Sequence, residues 1–186
     1  MNSEMRRTRI SKVVLSSGAT DTNLEKSAKL LEIIGEMKPQ IIKAGPRKRI
    51  PSFGVRPGLP LGTRITLRDE KALKILKKLL GAIDNRLNKK QVNDNHFSFG
   101  IKEYIEIPGI EYVREIGIRG FNVTVVFEKP GLRVKKKKIK KGKFPKRQEV
   151  LKDEIIKFMR ENFNTEFVWL HQIGTKYWSN WKTNLL

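Results

Sequence analysis

Apolar residues recur along this chain with two periods, and the switches between them mark its elements. Ser11-Lys-Val-Val-Leu15 reads as a short strand, ended by Ser16-Ser17-Gly18. Thr22-Asn-Leu-Glu25 has capping-box spacing. It opens a predicted helix over about 23–34, with Leu24, Ala28, Leu31 and Ile34 on one face and Gly35 closing it. Residues 39–43 read as extended, and Thr63 to Arg68 alternates as a strand. Asp69 is placed to cap a second helix over about 70–87, where Ala72, Leu76, Leu79, Leu80, Ile83 and Leu87 fall at helical spacing. Asn88 to Asn95 reads as a polar loop.

Alternation then returns. Phe97, Phe99, Ile101, Ile105 and Ile107 share one predicted face of a strand, interrupted by Glu103 and broken by Pro108-Gly109. Phe121 to Phe127 is the clearest strand, with Phe121, Val123, Val125 and Phe127 on one side. A last helix is expected over about 148–163, using Val150, Ile155, Phe158, Met159 and Phe163. The order β-α-β-β-α-β-β-α predicts an α+β fold: an antiparallel sheet with helices packed on one face. No internal repeat is visible.

Composition adds the partner class. The 186 residues carry 40 Lys+Arg against 19 Asp+Glu, a net charge of +21. Self-repulsion on that scale points to a polyanionic partner, with nucleic acid ahead of an anionic membrane surface. Lys outnumbers Arg by 26 to 14, which favours phosphate neutralisation over bidentate base reading. Cysteine is absent, which excludes disulfides, thiolate metal sites and thiol nucleophiles. His96 and His171 are the only imidazoles and read as ordinary polar residues. No metal site and no cofactor are expected. No nucleophile elbow, zincin helix or phosphate-cradling loop is spelled out, so the chain is not read as an enzyme. No apolar run reaches the ~20 residues of a membrane-spanning helix, and no membrane partner is expected.

Charge and punctuation coincide between Lys43 and Arg68. That stretch holds seven cations, no acid, four of the eight prolines and four glycines. Proline fixes φ and glycine frees it, so this is a shaped loop; its cations and exposed Phe53 suit folded RNA. A second run, Arg133 to Arg147, has ten cations in fifteen residues. Such blocks are often unstructured arms that order on RNA, and nuclear targeting or a membrane surface would fit the run equally well. The segment 168–186 holds Trp169, Trp178, Trp181 and Tyr177, which either pack on their own domain or dock on a neighbouring subunit.

The order and spelling of these pieces resemble the ribosomal large-subunit protein L5 family. The likeness begins at Arg9-Ile-Ser-Lys-Val-Val-Leu-Ser-Ser-Gly18 and resumes at Gly35-Glu-Met-Lys-Pro-Gln-Ile-Ile-Lys-Ala44. Its most specific part is Phe53-Gly-Val-Arg-Pro-Gly-Leu-Pro-Leu-Gly-Thr-Arg-Ile-Thr-Leu-Arg68. Phe99-Gly-Ile-Lys-Glu103, Ile107-Pro-Gly-Ile-Glu-Tyr112 and Arg119-Gly-Phe-Asn-Val-Thr124 follow in order. The resemblance divides the chain into a polar arm at 1–8, an L5-like RNA-binding domain at 9–167 with a basic insertion at about 133–147, and a Trp-rich extension at 168–186. Set against the family's pattern, no helix is expected ahead of the first strand in this sequence.

The resemblance implies a structural protein of the large-subunit central protuberance. Its partners would be 5S-type and large-subunit rRNA, P-site tRNA, a small-subunit head protein and neighbouring large-subunit proteins. Carried over by position, the rRNA-facing candidates are Arg9, Lys12, Ser16, Ser17, Lys38 and Lys43. The tRNA-facing candidates are Arg47, Lys48, Arg49, Ser52, Phe53, Val55, Arg56, Pro57 and Gly58. The basic arm adds Arg133, Lys135, Lys136, Lys137, Lys138, Lys140 and Lys141. The Lys-, Ile- and Asn-rich spelling with a basic insertion looks like a mitochondrial member, placing the chain in the mitochondrial matrix; a bacterial cytoplasm is the alternative. The competing functional class is a non-ribosomal RNA-binding regulator or an RNA-acting enzyme.

Overall fold

The computed structural model describes residues 4–168. The aromatic tail beyond Val168, with Trp169, His171, Tyr177, Trp178 and Trp181, lies outside the described residues. The strands are β1 (Arg9–Gly18), β2 (Gln40–Lys43), β3 (Pro60–Leu67), β4 (Arg86–Asn88), β5 (Val92–Asn93), β6 (His96–Ile101), β7 (Phe121–Glu128) and β8 (Glu166–Val168). The helices are α1 (Thr22–Gly35), α2 (Asp69–Gly81), α3 (Arg133–Lys136) and α4 (Lys152–Phe163). Six strands form one sheet in the order β2-β3-β1-β7-β6-β5, and β4 pairs with β8 in parallel. The fold is α+β, built on an antiparallel sheet, as the pattern predicts.

The chain forms two compact units. The first comprises 11–82 and 98–125. Its strands bury alternate residues: Val13 and Leu15 on β1, Ile65 and Leu67 on β3, Phe121, Val123 and Val125 on β7. Helix α1 packs against β3 closely enough that a Cβ at Gly35 would lie 3.0 Å from Ile65 Cδ1. Leu24, Leu30, Leu31 and Ile34 supply the α1 side of this core. The expected Ala28 is only half-buried and Ser27 is fully buried in its place. Ser27 Oγ donates back to the Asn23 carbonyl at 2.9 Å, which satisfies the hydroxyl within the helix.

Among the described residues the second unit comprises 4–10, 83–97 and 126–168. Phe97, Phe127 and Phe158 pack in series, the first pair tilted and the second edge-to-face, with ring centroids 5.8 and 5.7 Å apart. Ile155 and Met159 of α4 are fully buried. Asn95 ties three segments: its N–H donates to Val150 O, its side chain accepts from Val150 N, and its carbonyl accepts from Phe127 N at 2.8 Å.

Several boundaries differ from the sequence reading. Helix α2 stops at Gly81, and Asp84 and Asn85 turn the chain with left-handed φ of 51° and 55°. Leu87 is core as expected, but on strand β4. Neither Thr22 nor Asp69 caps its helix, because Asp21 and Arg68 hold the cap positions without side-chain bonds. The strand at Phe97 ends at Ile101, and a 3-10 turn at Tyr104–Glu106 reverses the parity. Tyr104 is therefore buried and Ile105 exposed. The Tyr104 hydroxyl accepts from Val113 N at 2.9 Å, anchoring the irregular 103–119 segment. Helix α4 begins at Lys152, leaving Val150 buried ahead of it.

Candidate nucleic-acid interface

The side of the sheet opposite the buried residues is largely polar. In register, Ser16 lies opposite Arg64, and Gln40 lies opposite Arg64 from the other side. Directly opposed residues share a face, so these three form one row across β1, β3 and β2. Arg64 Nε donates to Gln40 Oε1 at 3.0 Å, which aims the guanidinium along that row. The next row holds Val14 opposite Thr66, and Lys12 continues the same face of β1. On β7, Asn122 and Thr124 alternate with the buried residues.

The rRNA candidates fall into three groups. Lys12 and Ser16 stand half-exposed on this polar face. Lys38 is exposed just ahead of β2 and Lys43 at its end, where the register shifts after Ile42. Arg9 and Ser17 are engaged by the protein itself. Arg9 Nη2 donates to Glu128 Oε1 at 3.1 Å. Ser17 is a correction: its side chain is turned into the core, 8% exposed, with its hydroxyl 3.4 Å from Ser27 Oγ and 3.5 Å from Gly120 O. The strand period requires this, since Ser17 shares parity with Val13 and Leu15. Arg119 completes that cluster by donating to Ser27 Oγ at 3.3 Å and to Asn23 Oδ1.

Sequence reasoning missed Arg64, Gln40 and Thr66 as members of this face. The signal was available for Arg64, which sits between Thr63 and Ile65 in an alternating strand.

The loop between β2 and β3 is built in two storeys. At its base Ala44 N donates to Leu59 O at 2.7 Å, and Gly58 N donates to Ala44 O at 3.1 Å. Further out, Ile50 and Val55 pair as a single antiparallel bridge. A 3-10 turn at Pro51–Phe53 and a left-handed Gly54, φ 64°, close the tip. Gly58 is also left-handed, φ 80°, a conformation that favours glycine. Arg47, Lys48, Arg49 and Arg56 are exposed between the two closures, together with Pro57. Ser52 and Phe53 stand at the tip, where Phe53 is 80% exposed, and Val55 is half-buried. The loop thus presents cations below one uncovered aromatic ring.

The basic run is folded as well. Helix α3 spans 133–136, Gly142 N donates to Val134 O at 3.3 Å, and Lys135 Nζ lies 6.0 Å from the Phe144 ring centre. Lys136 Nζ donates to Glu128 at 2.8 Å. Lys137, Lys138, Lys140 and Lys141 are exposed.

Acidic residues collect elsewhere in the first unit. Glu103, Glu106, Glu111 and Glu115 lie within the 103–119 segment, and Glu25, Glu32 and Glu36 on or just after α1; all are exposed. Lys29 Nζ donates to Glu115 Oε2 at 2.9 Å. That hydrogen bond lowers the Glu115 pKa and raises that of Lys29. Among the described residues, no group of three or more His, Cys, Asp or Glu is arranged to hold a metal ion. Within the same residues, no helix is long and apolar enough to cross a membrane.

Residues 60–158 match the C-terminal part of the ribosomal L5 protein family. The chain belongs to the ribosomal L5 family. It is 40% identical to the large ribosomal subunit protein uL5 of Nanoarchaeum equitans over 171 residues, covering 90% of this chain and all of that protein. The uL5 of Sulfolobus acidocaldarius is 42% identical over 163 residues, 86% of this chain and 90% of its own. That of Methanosphaera stadtmanae is 37% identical over 158 residues, 83% and 93%. The L5-family match begins at Pro60, so it contains the sheet-face residues Arg64 and Thr66 and leaves the two-storey loop to the full-length relatives.

Proposed function

We propose that this L5-family chain is a non-enzymatic structural constituent of the large ribosomal subunit that binds rRNA through the open face of its sheet. The observation that carries this reading is the row Ser16–Arg64–Gln40. It places a held guanidinium among uncharged hydrogen-bonding groups in a row without acids, on the same face of the sheet as Lys12, with Lys38 and Lys43 exposed just ahead of β2 and at its end. Cations fix position on the phosphate backbone, and the short polar side chains can reach ribose and base edges. A 5S-type rRNA is the proposed ligand of this face. Arg9 and Ser17 serve it indirectly, by holding β1 in place.

In this reading the two-storey loop reaches P-site tRNA. Its exposed cations suit a backbone that every tRNA offers, and Phe53 adds a stacking surface that does not depend on sequence. The acidic 103–119 segment is the proposed contact for a basic protein of the small-subunit head. RNA would be repelled there, whereas a cationic protein surface would be attracted. The relatives reported above are archaeal proteins, which supports an archaeal-type ribosome over the mitochondrial matrix or a bacterial cytoplasm.

The test is direct. Affinity for a 5S rRNA transcript is measured by anisotropy at several salt concentrations, with tRNA and an unrelated duplex as references. If roughly six phosphates are neutralised, affinity falls about a thousandfold between 50 and 200 mM salt. A flat salt profile, or equal binding of 5S rRNA and the unrelated duplex, defeats the proposal. A mass-spectrometric census of ribosomes from the source organism and its organelles decides the compartment.

A further inference from the structure

The basic run at 133–147 has the marks of a constructed surface. Its two ends are joined at the root. Lys129, 7% exposed, donates from Nζ to the Glu149 carbonyl at 3.2 Å and to Glu154 Oε1 at 2.8 Å. One amino group therefore fixes the residues that enter and leave the run. Above the root sits Glu128, whose side chain is 13% exposed. Its two carboxylate oxygens take Arg9 at 3.1 Å and Lys136 at 2.8 Å. Further out, Gly142 closes on Val134. A Cβ at position 142 would lie 2.6 Å from Val134 Cγ1, so a side chain there would have to displace the exposed Val134.

We propose that Glu128 seats the 133–147 segment as a preformed second surface for RNA backbone, additional to the sheet face and the two-storey loop. An acid is an odd residue to keep among so many cations. Here it organises them: with Lys136 drawn down to Glu128, α3 is fixed and Lys137, Lys138, Lys140 and Lys141 stand together in solvent. An arm held in shape avoids the ordering cost that an unstructured tract meets on binding. Lysine dominates the surface, so it neutralises phosphate without reading sequence. RNA is favoured over an anionic membrane because the run exposes only two isolated large aliphatic side chains, Val134 and Ile139, too little for an apolar face. This inference needs no particular rRNA ligand on the sheet face.

The test uses the full chain and a 30-base-pair RNA duplex of arbitrary sequence, by anisotropy across a salt series. Replacing Lys137, Lys138, Lys140 and Lys141 with Ser should reduce the slope of log affinity against log salt by about 3. The decisive variant is Glu128→Gln. It raises the net charge by one, so a simple charge tract would bind RNA equally or more tightly. A seated arm predicts binding roughly threefold weaker or more, with the circular dichroism spectrum retained. Gly142→Val removes no charge and opens the far closure; it should weaken binding in the same direction. Should Glu128→Gln fail to fold, Gly142→Val decides. Unchanged or tighter duplex binding by the folded variants would overturn the proposal. Tighter arm-dependent binding to phosphatidylglycerol vesicles than to the duplex would overturn it in favour of a membrane surface. A failed sheet-face test alongside weaker binding by both arm variants would leave this surface standing.

Discussion

Ile50 and Val55 exchange both backbone hydrogen bonds, at 3.0 and 3.1 Å, across a four-residue tip. That pairing divides the loop above Ala44 and Leu59, so the cations on its sides keep their spacing when the loop meets a ligand.

In the proposed reading the loop cations serve binding and contribute little to folding. Replacing Arg47, Lys48, Arg49 and Arg56 with Ser should leave entry into the large subunit intact and weaken P-site tRNA retention by about tenfold or more, each lost phosphate contact also lowering the salt slope by about 1. Gradient sedimentation followed by tRNA retention checks this. A variant that never enters the subunit, or enters and holds tRNA normally, contradicts it.

On the sheet face, Lys12→Ser, Lys38→Ser, Lys43→Ser and Arg64→Ser together should weaken 5S rRNA binding while shifting stability by under ~0.5 kcal/mol per site, as surface changes usually do. Within this set, Arg64→Lys is informative by itself. Lysine keeps the charge but loses the planar donor held by Gln40, so a loss of affinity with Arg64→Lys identifies geometry as the contribution. Isothermal titration and thermal melts separate the two effects.

Gly120 lies where no side chain fits. A Cβ there would sit 2.5 Å from both the Ile101 and Lys102 carbonyl oxygens, which are backbone atoms with little room to move. Gly120→Ala should cost about 1–3 kcal/mol through this overpacking. Urea unfolding should show a lower midpoint with an unchanged slope.

The Lys29–Glu115 pair makes stability weakly pH-dependent. Its carboxylate pKa is lowered on folding, so that contribution is present above the unfolded value and is lost as pH falls through the folded one. The lysine pKa is raised, so its contribution is present below the unfolded value and is lost as pH rises through the folded one. Lys29→Met should consequently lower the melting temperature slightly at neutral pH in low salt. The difference should vanish in acid, in strong alkali and at high salt, because both side chains are exposed.

The parts of the fold that could be read from sequence are those where one period dominates. Phe121 to Phe127 alternates without interruption and is a strand with that burial. Leu87 shows where periodicity misleads, since it lies seven residues beyond Leu80 and fits a helix. The contrary signal came from Gly81, a weak helix former, and from Asp84-Asn85, a pair that tolerates the left-handed turn taken after α2.

Within the candidate site, the shape of the loop was easier to read from sequence than the sheet face. Proline, glycine and charge mark residues 43–68 locally, so the loop announces itself. Arg9 reads as a free cation until Glu128, 119 residues away, is seen to hold it. Ser17 reads as an accessible hydroxyl until Ser27 and Gly120 are found around it. Such pairings are set by tertiary neighbours that no local window contains.

The Lys129 clasp also makes the basic segment a natural port for insertion. With residues 129 and 149 already held together, the chain between them spans no further distance, whatever its length. Lengthening a closed loop costs only about 0.6 kcal/mol per doubling. A peptide tag or fluorescent domain placed near the exposed Ile139 should then be carried without disturbing the core. The same closure lets the stretch be lengthened without moving the residues at its root.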